Sequence, residues 1–326
     1  MTNRWINVLK PGLETSVQEL PGRIGYWEQG FPPSGPVDSW SFRLANLLVG
    51  NNRDTAALEC QFLGPTLGFS DDGFVAVTGA DMRPMLDGQA VDMWQTIAVR
   101  AGQTLELSAA RTGARSYVAF SGGIDTPPVL GSRAVFHMAS IGGSALKAGQ
   151  SLPLGAMVGP ATPAIVAPDA RPVFPTDKTW SVECMLGPND DWLDPESISE
   201  FLAADWSVQA KSSRTGIRLT GPEFRFSERA TNKRADHGQD PSNIIDHGYP
   251  LGAVNLAGQT PIILINDAPS TGGFINPFTV VSAAFWKLGQ ARPGEKLRFR
   301  IVDANEAQAM RRELDRRSSQ AALELL

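Results

Sequence analysis

Several residue types are scarce in this chain of 326 residues, and each scarcity removes a class of function. There are two cysteines, Cys60 and Cys184, and neither belongs to a Cys-x-x-Cys pair. That gives no disulfide framework; two buried free thiols are the expectation, with a disulfide between them as the alternative. The three histidines, His137, His237 and His247, lack the close partners a zinc site needs, so no metal is expected. Positive charge is short as well. Lys and Arg total 29 against 34 Asp and Glu, a formal net charge of −5. No basic run would track a phosphate backbone, so no nucleic-acid partner is expected. No stretch reaches the roughly 18 apolar residues of a membrane span, and the first residues lack the apolar core of a signal peptide. The expectation is a soluble, cytoplasmic chain with no membrane partner.

Glycine and proline are plentiful, at 32 and 24 residues, which implies many turns and a mainly β fold with a few short helices. Short alternating runs over residues 73–135 read as a β meander, with Asp87-Gly88 as a hairpin turn. Asp38 or Ser39 caps a helix whose apolar residues Phe42, Ala45, Leu48 and Val49 recur every three to four positions; Gly50 and Asn51 end it. Glu59 lies inside an apolar strand and needs a partner, for which Arg23 and Arg43 are the candidates. Ser121 has a glycine-rich setting but not the pattern of a nucleophile elbow.

The chain divides by composition. Residues 1–155 form an N-terminal β unit, and 156–177 a proline-rich linker or crossing segment. Residues 178–303 form a C-terminal β unit, and 304–326 a charged helical tail. Residues 223–240 read as a polar surface loop.

The candidate active-site turn is Asn266-Asp-Ala-Pro-Ser-Thr-Gly-Gly273, between the apolar strand Thr260–Ile265 and an apolar segment that becomes helical. It presents Asp267 and Ser270 from a firm frame, and Gly272 and Gly273 would leave backbone N–H groups open to an anion. Pro33-Ser34-Gly35-Pro36, also followed by a helix, is a faint echo of it.

This turn stands in an ordered series: Ser213-Arg-Thr-Gly-Ile-Arg-Leu-Thr-Gly-Pro222, Pro241-Ser-Asn-Ile-Ile-Asp246, Gly252-Ala-Val254, and Trp286 to Lys296. Upstream, Thr15 to Tyr26, the Arg43-Leu-Ala-Asn46 run, Ser121-Gly-Gly-Ile-Asp125 and Leu130-Gly-Ser-Arg133 continue it. The series resembles the second half of the carboxyltransferase region of urea carboxylase, also called the allophanate hydrolase subunit 2 family, over residues 11–303. Two departures stand out. Glu19 replaces the usual Asp of the opening signature, and Asp240 takes the place of a His before Pro-Ser-Asn.

The resemblance implies two cyclophilin-like β-barrel units. It also implies transfer of a carboxyl group from carboxybiotin to urea or a related small amide. It assigns catalysis to Asp267, Ser270 and Arg23, and substrate or biotin binding to Asn243, Asp246, Gly272, Gly273, Ser34 and Glu59. Such a site needs donors for the biotin oxygen, each worth roughly 3–4 kcal/mol by analogy with oxyanion holes. No Ala-Met-Lys-Met-like run is present, so biotin would come on a separate carrier, none being attached to this chain. No P-loop or ATP-grasp sequence is present either. The implied partners are companion subunit 1 of the same family and a biotin carboxylase with its carrier. The family also includes the C subunit of an ATP-dependent 5-oxoprolinase, which opens a lactam. A non-enzymatic regulator that binds its companion is the third form it takes.

Overall fold

Strand Trp5–Lys10 turns Ile6 and Val8 inward and leaves their neighbours outside, the alternation of a half-buried strand. It opens the first of two units in a computed structural model that describes residues 4–157 and 162–326. Unit 1 comprises residues 1–24, 33–173 and 313–326; unit 2 comprises 25–32 and 174–312. The mainly β expectation is met.

Unit 1 has two antiparallel sheets. One runs in the order Ser151–Pro153, Trp5–Lys10, Thr66–Phe69, Thr104–Glu106, Met85–Leu86, Gln89–Ala90. The other runs Glu14–Gln18, Ala57–Gln61, Arg115–Phe120, Gly73–Gly79, Ile97–Val99. Val8, Leu67 and Leu105 from the first share a core with Leu58, Val77 and Val118 from the second. The expected strands of the 73–135 stretch are present, but they do not form a meander. Met85–Leu86, Gln89–Ala90 and Thr104–Glu106 lie in the first sheet and Gly73–Gly79, Ile97–Val99 and Arg115–Phe120 in the second, because burying both apolar faces requires strands to alternate between layers. The hairpin at Asp87-Gly88 forms as expected, both residues having positive φ (48° and 78°) as a type I′ turn demands.

Helix Ser39–Leu48 starts where expected. Asp38 is the cap, its carboxylate accepting from Ser41 N (3.0 Å) and Ser41 Oγ (2.6 Å). The C-terminal stretch is less solvated than its charge suggests. Helix Ala304–Arg317 buries Leu314, Asp315 takes a 2.6 Å bond from Arg43, and Leu323–Leu325 pairs with Ala164–Val166. The segment 156–177, read as a linker, includes 158–161, which lie outside the described residues.

Unit 2 is built on a closed seven-stranded barrel. Its order is Thr179–Leu186, Phe278–Val280, Ala253–Ala257, Thr260–Leu264, Gly216–Thr220, Trp206–Val208, Lys296–Ile301. Helix Pro195–Ala203, capped by Asp194, lays Phe201 against Phe278 and Phe299 at centroid distances of 4.0 and 4.5 Å. Outside the barrel, Asn243–Gly248 and Thr271–Phe274 form a two-stranded ribbon. The polar stretch 223–240 contains helix Glu228–Thr231 and is pinned by Arg225 to Asp194 and by Arg229 to Asp191.

Candidate functional site

The sequence-assigned residues fall into two groups, one in each unit. In unit 1 they gather about the turn Pro33 to Asp38. Ser34 and Gly35 are left-handed, with φ of 57° and 82°. For serine this conformation costs on the order of 1–3 kcal/mol and persists only where its surroundings over-determine it. Three buried side chains do so. Gln18 Oε1 accepts from Gly35 N (3.0 Å), Glu59 Oε2 from Val37 N (2.9 Å), and Tyr117 Oη from Asp38 N (2.8 Å). Tyr117 Oη in turn donates to Glu59 Oε2 at 2.8 Å.

Glu59 therefore has a partner in Arg115 (3.4 Å), which the sequence reading did not name beside Arg23 and Arg43. In this setting Glu59 holds the backbone of Val37 and the hydroxyl of Tyr117. Burial, then the charges of Glu59 and Asp38, push the Tyr117 phenol well above its ordinary value, so it stays a neutral donor.

Arg23 belongs to the same neighbourhood, since its N–H bonds Pro33 O at 2.7 Å. Its guanidinium is fully buried and donates to Ala134 O (2.8 Å) and Val129 O (3.3 Å), bracing 129–134. Glu19, the first departure, takes the backbone N–H of Arg133, a bracing role its extra methylene can serve. Ser121 Oγ accepts from Phe74 N (3.0 Å), as befits a structural serine.

In unit 2, Asp267 follows strand Thr260–Leu264 and meets Arg214 in a buried two-point pair, Nε to Oδ2 at 3.0 Å and Nη2 to Oδ1 at 3.3 Å. Asp267 N also donates to Arg214 O at 2.9 Å, so the two segments clasp each other twice. Asp267 is thereby the anchor of Arg214. The Ser213-Arg-Thr-Gly run stands out in the sequence, yet sequence reasoning assigns nothing to its arginine. The available signal was a second buried charge close to a glycine turn.

The Gly272-Gly273 pair does not form the anion-binding turn expected of it. Both residues are in the ribbon strand Thr271–Phe274 and neither is left-handed. Cross-strand pairing with Asn243–Gly248 extends them. Glycine is required for closeness. A Cβ on Gly272 would lie 2.5 Å from the Tyr249 ring, and one on Gly273 would lie 3.0 Å from Ile244 O and 3.3 Å from Asp246 Oδ1. Tyr249, also missed from the sequence, ties the ribbon down by accepting from Phe274 N (2.6 Å) and donating to Phe274 O (3.1 Å). Burial raises its pKa. The echo of this turn at Pro33 to Pro36 is therefore one of letters, with left-handed backbone in one and extended strand in the other.

Asn243 and Asp246 share one strand of the ribbon, Asp246 exposed and Asn243 half-buried. Asn243 O accepts from Lys233 Nζ at 2.7 Å. Burial lowers the Lys233 pKa. Ser270 O accepts from Tyr249 N at 2.8 Å, setting Ser270 at the ribbon's base. Asp240, the second departure, caps the approach to the ribbon, accepting from Ser242 N (2.9 Å) and Ser242 Oγ (2.8 Å), which hold its carboxyl below the usual range. Among the described residues no group of three or more His, Cys, Asp or Glu side chains could hold a metal ion.

A family model, carboxyltransferase domain, subdomain A and B, matches residues 29–301. The chain belongs to that family. This carboxyltransferase-domain chain is 36% identical to urea amidolyase of Saccharomyces cerevisiae over 95% of its length, while spanning 17% of that relative. It is 32% identical to the C subunit of 5-oxoprolinase from Escherichia coli, over 98% of both chains. The crystal structure of Kluyveromyces lactis urea carboxylase superposes with a TM-score of 0.90 at 36% identity, over 99% of this chain and 30% of that one. Such relatives are portions of longer chains or named as subunits, which implies partner domains. No helix among the described residues is long and apolar enough to cross a membrane.

Proposed function

We propose that this chain is the carboxyltransferase subunit of a biotin-dependent carboxylase, moving a carboxyl group to a nitrogen of urea or a related small amide. The observation that carries the reading is the likeness to urea carboxylase over nearly the whole chain. It is supported by higher identity to the urea-processing relatives than to the 5-oxoprolinase relative.

The donor set fits a ureido group. Asn243, Asp246 and Ser270 offer both donors and acceptors, which urea and the biotin ring both present. Gly273 keeps the ribbon open beside Asp246 where a Cβ would crowd it. Carboxybiotin, brought on a separate carrier by a biotin carboxylase, supplies the carboxyl group. We assign acceptor orientation to Asn243 and Asp246, and hydrogen bonding at the reacting groups to Ser270; in unit 1, Ser34 keeps the binding role that the resemblance gives it. Gly272 and Gly273 give close approach. Asp267 acts through Arg214, while Arg23 and Glu59 belong to the frame. A companion protein, subunit 1 of the same family, completes the transferase, and the use of ATP and bicarbonate carries a cytoplasmic location.

One observation favours a second reading. The chain is coextensive with its 5-oxoprolinase relative, so a lactam-opening complex is the alternative. The test is to co-purify the chain with its companion, add a biotin carboxylase and carrier, and follow ATP cleavage with urea, its close analogues or 5-oxoproline. Cleavage driven by urea or an analogue supports the proposal, and cleavage driven by 5-oxoproline alone replaces it with the alternative.

A further inference from the structure

We infer that unit 1 holds a further binding site, a groove that takes a small aromatic carboxylate, with the ring against Trp94 and the carboxylate on Arg171. None of the residues assigned above lines this groove. It opens beside the hairpin 85–90 and has a volume of about 640 Å³. Small-molecule sites usually measure about 300–1,000 Å³. Pro84, Met85, Val91, Met93, Trp94 and Ile165 give it a mainly apolar wall.

Two backbone outliers mark the groove. Trp94 and Arg83 both line it, and both are left-handed, with φ of 66° and 45°. That conformation is rare and costly for a side chain as bulky as tryptophan, and it persists only where the surroundings over-determine it. They do so here. Trp94 N donates to Val77 O (2.9 Å), and Trp94 O accepts from Val166 N (2.8 Å). Arg83 N donates to Asp81 Oδ1 (3.1 Å), and Arg83 Nε donates to Ser108 Oγ (3.2 Å). A segment that only led from the hairpin to strand Ile97–Val99 could use glycine at position 94 without strain. Instead an indole is held half-buried, with two methionines in the same wall. Methionine is soft and adapts its shape to an aromatic guest.

Arg171 supplies the charge. Its Nε and Nη2 both donate to one neutral acceptor, Val166 O, at 3.0 and 2.8 Å, which orients the guanidinium without neutralising it. Among the described residues no carboxylate forms an ion pair with it. Burial lowers its pKa, opposed only in part by the more distant charge of Glu324. The buried Arg115 and Arg214 each have a carboxylate, whereas Arg171 has the cavity. Arg83 adds a second positive charge. The acids at the groove are Asp81, which already lies 3.8 Å from Arg111, and the exposed Asp92. A carboxylate meets a guanidinium at two points, and a half-desolvated guanidinium gains most from that contact. The apolar wall and the indole face then select a ring as the body that carries it.

The test uses the full chain with methyl-labelled methionine, the Met85 and Met93 signals being assigned with Met85→Leu and Met93→Leu. The probe is indole-3-acetate, with indole-3-acetamide as its uncharged control. The acid is expected to shift both signals with a Kd near or below about 1 mM. The amide is expected to bind about tenfold more weakly. Arg171→Met is expected to bring the acid down to the level of the amide. Trp94→Gly suits the left-handed backbone, so it is expected to keep the fold and lose binding. No shift with the acid, equal binding of acid and amide, or acid binding unchanged in Trp94→Gly would overturn the inference. Should Arg171→Met fail to fold, the comparison of acid with amide on the unaltered chain still tests the charge. The readout is binding, so its outcome is independent of the carboxyltransferase reading.

Discussion

Asp267 was legible from the sequence as a polar residue in a rigid, apolar frame. Its partner was not, because Arg214 lies 53 residues earlier and only the closed barrel brings the two together. A buried ion pair that loses one member leaves an uncompensated charge, so Asp267→Ala is expected to cost about 3–5 kcal/mol. Arg214→Met combined with Asp267→Leu should recover most of that loss, and urea denaturation of the wild type and the two variants checks it. Glu59 teaches the same lesson. Its need for a partner was readable, but the partner's identity depended on which strand lay alongside. The two thiols, expected to be buried and free, are so. Burial is the main cause that raises both, pushing Cys184 up to about 12 and Cys60 higher still, while the unfolded thiols ionise near 9.0. A group raised in the folded state stabilises it below the unfolded pKa, and that contribution is lost as pH rises. Stability should therefore fall above about pH 9, and Cys60→Ala with Cys184→Ala should flatten the decline. Denaturant midpoints between pH 8 and pH 11 would show the slope, and an unchanged slope would refute this account of the thiols.

At the scale of elements, local chemistry was the readable part. Helix Ser39–Leu48 followed from its cap and apolar spacing, and the hairpin at Asp87-Gly88 from its turn residues. The ribbon strand Thr271–Phe274 was missed because Gly-Gly has low strand propensity, and pairing with Asn243–Gly248 overrides it. That ribbon carries Asn243, Asp246, Gly272 and Gly273, so its seating decides the geometry of half the candidate site. Gly272→Ala pushes a methyl into the Tyr249 ring and should cost about 1–3 kcal/mol by overpacking. Tyr249→Leu in the same chain should relieve part of it. Hydrogen exchange over 271–274 and thermal melting measure both effects. Equal melting of Gly272→Ala and the wild type would mean that the ribbon is not seated on Tyr249.

On the scale of the whole chain, strand order was beyond reach of the sequence. Consecutive strands of the 73–135 stretch separate into different sheets, and the last strand, Leu323–Leu325, pairs with Ala164–Val166. Three residues of alternating apolar character at a charged terminus gave no signal for that pairing. Ending the chain at Arg312 removes this strand and the buried Leu314, so unit 1 should lose about 2 kcal/mol or more, seen as a lower melting temperature. The central claim concerns what the folded chain does with its partners, and sensitivity to avidin tests it most directly. Purified chain, its companion, carboxylase and carrier are given ATP, labelled bicarbonate and the amide acceptor, with and without avidin to sequester biotin. The account predicts label on the acceptor nitrogen and its loss when avidin is present. Turnover that avidin leaves untouched would contradict it.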